Sequence, residues 1–106
     1  MATQRRRIGH RQKGKTMAVM VTLTIKTDVA TYQGLHGQML AMARSAGLLF
    51  HSGREVPDGI AVVDFWPSEE AFRSFSTAAL AEGMRAAGLT QPDDLTITPV
   101  LTADGR

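Results

Sequence analysis

Three side chains able to move a proton or to hold a flat molecule, His51, Asp64 and Trp66, stand in two strand-like runs joined by Val56-Pro-Asp-Gly59. That tetrapeptide carries a turn signature, so the two runs are expected to form a β-hairpin. Whether the loop is those four residues or a tighter even-numbered turn, paired positions sum to an odd number. Leu49, His51 and Gly53 then share a face with Val62, Asp64 and Trp66, while Leu48, Phe50, Ala61, Val63 and Phe65 form a wholly apolar opposite face. With the four-residue loop His51 lies directly opposite Asp64, at roughly 5 Å between Cβ atoms. A carboxylate beside an imidazole orients the ring and favours its protonated form, so the pair could serve as a general base or acid near neutral pH. These two residues are the catalytic candidates, and the nearby indole could bind a flat substrate. The competing expectation is a structural polar pair that bridges an interface between subunits.

Other residues could complete a binding site. Tyr32, Phe72 and Trp66, with Phe50, Phe65 and Phe75, could line an aromatic pocket, although phenylalanines at strand and helix spacing more often fill the core. Trp66 differs, because it ends a strand and its indole N–H needs a partner. His36, near Leu35 and Met39, suits either a cavity edge or an ordinary half-buried hydrogen bond. His10, His36 and His51 fall on different elements and form no ligand set by spacing. The chain has no cysteine, which excludes disulfides, thiolate metal sites and a cysteine nucleophile. No glycine-rich phosphate cradle or serine-nucleophile motif is present. Neither a metal nor a cofactor is expected. Arg54 and Arg85 could neutralise an anionic substrate, but single surface arginines usually do nothing specific.

The elements that must position these groups are legible from period and punctuation. Met17 to Ile25 alternates as a strand whose Met17, Val19, Val21, Leu23 and Ile25 face is unbroken apolar. Asp28 can cap a helix with the stripe Val29, Tyr32, Leu35, Met39, Met42 and Ala46, ended by Gly47. Gly34 and Gly37 weaken that helix, and could permit a close approach to sheet or ligand. Leu48 to Glu55 and Ile60 to Trp66 are the hairpin strands. Pro67 stops the second, Ser68 caps another helix with Ala71, Phe72, Phe75, Ala79 and Ala86 buried, and Gly88 closes it. Leu95 to Leu101 reads as the last strand, with Pro99 arguing for an edge. The order β-α-β-β-α-β is ferredoxin-like, an α+β fold with a four-stranded antiparallel sheet and both helices on one face. Its strands are apolar on both sides, so the uncovered face would be an exposed patch unless it meets a second copy. A homodimer through the sheet faces is therefore expected.

Charge divides the chain unevenly. Of its 12 basic residues, Arg5, Arg6, Arg7, Arg11, Lys13 and Lys15 lie in residues 1–16 with no acid, leaving six against 10 acidic residues, or −4, for the rest. The segment 1–16 has one large apolar residue, Ile8, and is expected to be a disordered basic tail ahead of a single domain over 17–106. It could touch nucleic acid through phosphate contacts, but no aromatic interleaves its charges, so nucleic acid is not the expected partner. The plainer expectation is a dispensable extension, with Met17 as an alternative start. No apolar run reaches the ~18–20 residues of a membrane span, and no apolar segment follows the basic stretch as in a secretory signal. With no cysteine, a cytoplasmic protein is expected.

Gly47-Leu-Leu-Phe-His51, the turn Pro57-Asp-Gly59, and Val62-Val-Asp-Phe-Trp-Pro-Ser-Glu-Glu-Ala-Phe72 together resemble the antibiotic-biosynthesis-monooxygenase family, in particular its small bacterial members. The resemblance covers about Met17 to Leu101. It implies a dimeric α+β barrel in which two sheets pack face to face, with a pocket between sheet and helices in each protomer. Some members oxygenate aromatic polyketides without a cofactor; another branch degrades heme, using a histidine on the second helix as iron ligand. Ser68 to Ala87 contains no histidine, so a heme role is not expected. The resemblance thus implies a cofactor-independent monooxygenase-type protein acting on a small aromatic or polyketide-like molecule. The alternative is a non-catalytic dimeric module that binds a small apolar or aromatic ligand or another protein.

Overall fold

Strand β1 (Val19–Ile25) sits in the middle of the chain's only sheet among the described residues, which are 17–103 of this computed structural model. The expectation of a disordered basic tail falls on residues 1–16, outside those described. Helix α1 (Val29–Ser45) follows, then the hairpin of β2 (Phe50–Val56) and β3 (Gly59–Trp66). The second helical stretch comprises α2 (Glu69–Phe75), a π-helical turn at Ser76–Leu80 and α3 (Ala81–Ala86), and the edge strand β4 (Asp93–Pro99) ends the fold. The sheet order is β2-β3-β1-β4, antiparallel throughout. This is the ferredoxin-like α+β arrangement that the element order predicts.

The alternation of β1 decides which face is covered. Val19, Val21, Leu23 and Ile25 are all buried, and they pair in register with Trp66, Asp64, Val62 and Ile60 of β3. Leu35 and Ala43 of α1, Phe72 and Phe75 of α2, and Met84 of α3 close over them as one core. Each such fully buried apolar side chain contributes ~1.5–3 kcal/mol of burial. The opposite face carries Met20, Thr22, Ala61, Val63 and Phe65, with Phe50 beside Phe65 at 6.0 Å between ring centroids. A Thr22–Thr96 hydroxyl hydrogen bond crosses to β4 on that face.

Capping follows the sequence closely. The Asp28 carboxylate accepts from the Thr31 N–H at 2.7 Å, and that backbone contact holds its pKa below the ordinary carboxylate value. Ser68 Oγ accepts from the Ala71 N–H at 3.0 Å, with Glu69 and Glu70 favourably placed in the first turn. Both helical stretches end alike. Gly47 and Gly88 adopt φ of 116° and 76°, and the next residue, Leu48 or Leu89, donates its N–H back to Ala43 or Met84. Its side chain packs onto the core, as this type of helix ending favours.

Several boundaries and faces differ from those read in the sequence. Leu48, expected in a strand on the face of Phe50 and Phe65, belongs to the turn that ends α1 and packs onto the core; Leu49 is exposed, and β2 begins only at Phe50. On α1 the buried stripe is Tyr32, Leu35, Met39 and Ala43, while Val29 and Met42 face out. In the second helical stretch the π turn inserts a residue and rotates everything after it. Leu80 and Met84 take the inward positions, and Ala86, expected to be buried, is exposed. Gly34 and Gly37 have nothing within 4 Å of where a side chain would begin, so neither serves a close approach. Strand β4 starts two residues earlier than expected, with a bulge opposite Thr22 and Thr24 and Asp94 at φ 54°. Pro99 ends it, where a missing ladder donor is harmless.

Candidate functional site

The hairpin turn is tight, pairing Val56 with Gly59, and its register sets His51 directly opposite Asp64. Gly59 permits this turn: at φ 146° it lies where a side chain would strike the Ile25 carbonyl. His51 Nδ1 and Asp64 Oδ1 are 2.6 Å apart, with side-chain exposures of 18% and 13%. Because a carboxylate only accepts, Nδ1 carries the hydrogen toward Asp64. On the other side the Tyr32 hydroxyl, reaching down from α1, lies 2.7 Å from Nε2, which accepts from it in the neutral form of the ring. On β3, the Trp66 indole N–H points to the second carboxylate oxygen at 3.4 Å, a long contact. The four side chains form a chain, Tyr32 to His51 to Asp64, with Trp66 bracing its far end.

Its position answers one question the sequence left open. His51 and Asp64 share the face of Val21, Val62 and Trp66, which the helices cover. They therefore do not bridge the open sheet face. They form instead the polar end of a cavity of about 60 Å³ between sheet and helices, whose apolar wall includes Leu23, Leu35, Met39, Leu48, Phe72 and Leu80. Tyr32, one turn before His36 on α1, brings that residue with it. The His36 ring stacks on His51 at 5.1 Å between centroids and lies 5.8 Å from Tyr32. Burial pushes the Tyr32 phenol pKa above its ordinary value, and the nearby Asp64 charge adds to the effect. The hydroxyl consequently stays a donor at neutral pH.

Of the expected site residues, His51, Asp64, Tyr32, His36 and Phe72 all line this cavity. Trp66 does not. Its indole is 0% exposed, packed edge-on to Phe72 and 5.3 Å from Phe75, so the expectation that it offers a surface to a flat substrate is corrected. It ends the strand on the covered face, under α2, and acts as core. Leu80 escaped the sequence reading because no residue pattern announced the π turn that brings it to the cavity. The Tyr32–His51 bond was also missed, although a phenol on an apolar stripe needs a polar partner and could have pointed to it. Arg54 and Arg85 are outside the cavity lining.

The second helical stretch, Glu69–Ala86, offers no histidine as a ligand for heme iron. No group of three or more histidine, aspartate or glutamate side chains placed to hold a metal occurs among the described residues.

No family model and no curated protein matches the sequence. Solved structures do match the fold. SnoaB, a cofactor-independent oxygenase from Streptomyces nogalater, superposes at a TM-score of 0.58 with 14% identity, over 84% of this chain and 96% of its own. A protein from Chloroflexus aurantiacus J-10-fl, named as an antibiotic biosynthesis monooxygenase, does so at 0.56 with 17% identity, over 83% and 97%. The heme-degrader MhuD from Mycobacterium tuberculosis aligns at 0.46, too low to bear on this chain. The chain therefore has the α+β protomer fold of the antibiotic-biosynthesis-monooxygenase structures, in agreement with the resemblance carried by Gly47 to Phe72.

Proposed function

We propose that this protein is a cofactor-free, monooxygenase-type enzyme for a small aromatic or polyketide-like molecule, with His51 as its base. The observation that carries the reading is His51 held between Asp64 and Tyr32 at the polar end of an apolar cavity. A phenolic or quinol substrate would give its proton to the Tyr32 oxygen as Tyr32 gives its own to His51 Nε2. The imidazolium so formed keeps its Asp64 partner, and the substrate is left as an electron-rich anion able to reduce dioxygen without a metal or flavin. Similarity of fold to a cofactor-independent oxygenase supports that direction. The open sheet face, with the apolar Met20, Val63, Phe65 and Phe50 on it, supports a homodimer formed sheet to sheet. No helix among the described residues is long and apolar enough to cross a membrane, and the cysteine-free chain fits a cytoplasmic protein.

One observation favours a second reading, a non-catalytic binding module. Every polar contact of the relay is already made within the protein, as a purely structural network would make it. Oxygen consumption with a panel of quinols and naphthols separates the two. The enzyme reading expects uptake that His51→Ala reduces by ~10²–10⁴-fold. Ligand binding without uptake, equal in wild type and His51→Ala, would favour the module.

A further inference from the structure

We infer that Gly53 is a positioning residue of the relay: its missing side chain is the space that lets the Tyr32 hydroxyl reach His51. The inference rests on the proposed role of His51, but its geometry is independent of any reaction. Gly53 stands two residues after His51 on β2, on the same covered face and opposite Val62. A Cβ added there would lie 2.6 Å from Tyr32 Oη, 3.0 Å from Cζ of the same ring and 3.4 Å from Ile60 Cγ2. The first two distances are too short to keep, and the third is an ordinary contact. Tyr32 lies across the glycine to make its 2.7 Å bond to Nε2.

Backbone conformation does not require this glycine. The positive-φ glycines among the described residues are Gly47, Gly59 and Gly88, and Gly53 is not one of them. Mid-strand glycine is unfavourable for the sheet and commonly marks a close approach by another group. At Gly59 the obstacle to a side chain is the Ile25 backbone, whereas at Gly53 it is the tip of a long side chain anchored on another element. An alanine should therefore be accommodated by swinging the tyrosine aside, leaving the sheet intact. The relay would be broken while the fold survives.

Tyr32 is the only tyrosine in the chain, so ultraviolet titration of tyrosinate reads this one side chain. The titratable groups facing it are His36 on its own helix, His51 on β2 and Asp64 on β3. In Gly53→Ala the midpoint should fall toward the ordinary value of ~10, because the ring moves into water. The His51 imidazole nitrogen resonances should show loss of the Nε2 bond, with the melting transition retained. Gly37→Ala, where nothing lies within 4 Å, should change neither signal. Adding Gly53→Ala to a Tyr32→Phe background should leave the His51 resonances almost unmoved, since the closest conflict is gone. A folded Gly53→Ala protein with wild-type tyrosine midpoint and imidazole spectrum would overturn the inference, as would equal shifts in Gly37→Ala. If Gly53→Ala fails to fold, rescue by Tyr32→Leu, which removes both conflicting atoms, supports the inference and failure of that double variant overturns it. Absence of quinol-dependent oxygen uptake in the wild type would remove the proposed reaction while leaving these readouts, and the positioning role, intact.

Discussion

Removing the Asp64 carboxylate should destabilise the fold by ~2–3 kcal/mol, in line with the ~1.5–3 kcal/mol typical of a hydrogen bond to a charged group. The contact to His51 is 2.6 Å long, and side-chain exposures of 13% and 18% leave little solvent to screen it. The Trp66 N–H loses its acceptor as well, but at 3.4 Å that contact adds little. In a domain of this size each kcal/mol moves the melting temperature by ~4–8 °C, so Asp64→Ala should melt roughly 10–20 °C lower. His51→Ala should cost a comparable amount, because it strands the carboxylate with only the distant indole. The double variant removes both partners and so should lose ~1–2 kcal/mol less than the two single losses added together. Urea denaturation of the four proteins at one protomer concentration measures this coupling. A coupling below ~0.5 kcal/mol, the scatter of independent sites, would refute the claim that the pair acts as a unit.

Two further outcomes are expected. Tyr32 keeps its proton in the fold to a higher pH than in the unfolded chain, so its contribution is complete below about pH 10 and is lost as pH rises through the folded pKa. The urea midpoint should thus fall more steeply with rising alkaline pH in wild type than in Tyr32→Phe; equal slopes would remove the buried-phenol account. Phe65→Lys on the open sheet face should convert a homodimer to a monomer by light scattering with the protomer fold retained, and a wild-type monomer at micromolar concentration would end the dimer proposal.

The parts of the site legible in the sequence were those governed by a binary choice. A strand has two faces, and any even-numbered turn gives an odd pairing sum, so His51 had to share a face with Asp64; a turn centred on Pro57-Asp58, with four residues or two, sets them directly opposite. Capping residues were equally readable, since Asp28 and Ser68 act within three residues of themselves. Helical phase was not. It accumulates over many residues, and a single π turn at Ser76–Leu80 moved Met84 inward and Ala86 outward with no residue type to announce it. Leu48 was misread for a related reason, because the turn ending α1 takes over from strand alternation before β2 begins.

Which face of the hairpin the helices cover was the choice that mattered most, and local pattern could not make it. Both faces of β3 carry apolar residues, so parity grouped His51, Asp64 and Trp66 without saying whether they met a helix or a second sheet. The buried row Val19, Val21, Leu23 and Ile25 resolves this, because it is the side that Leu35, Phe72 and Met84 cover. On the open face the same pair would lie away from α1 and out of reach of Tyr32. Under α1 it gains Tyr32 and the stacked His36, loses most of its water, and borders an apolar cavity. The same coverage buries Trp66 and withdraws it from any ligand. One face assignment thus supplies the site with its proton path and removes its presumed binding platform, and both consequences follow from the side on which α1 packs.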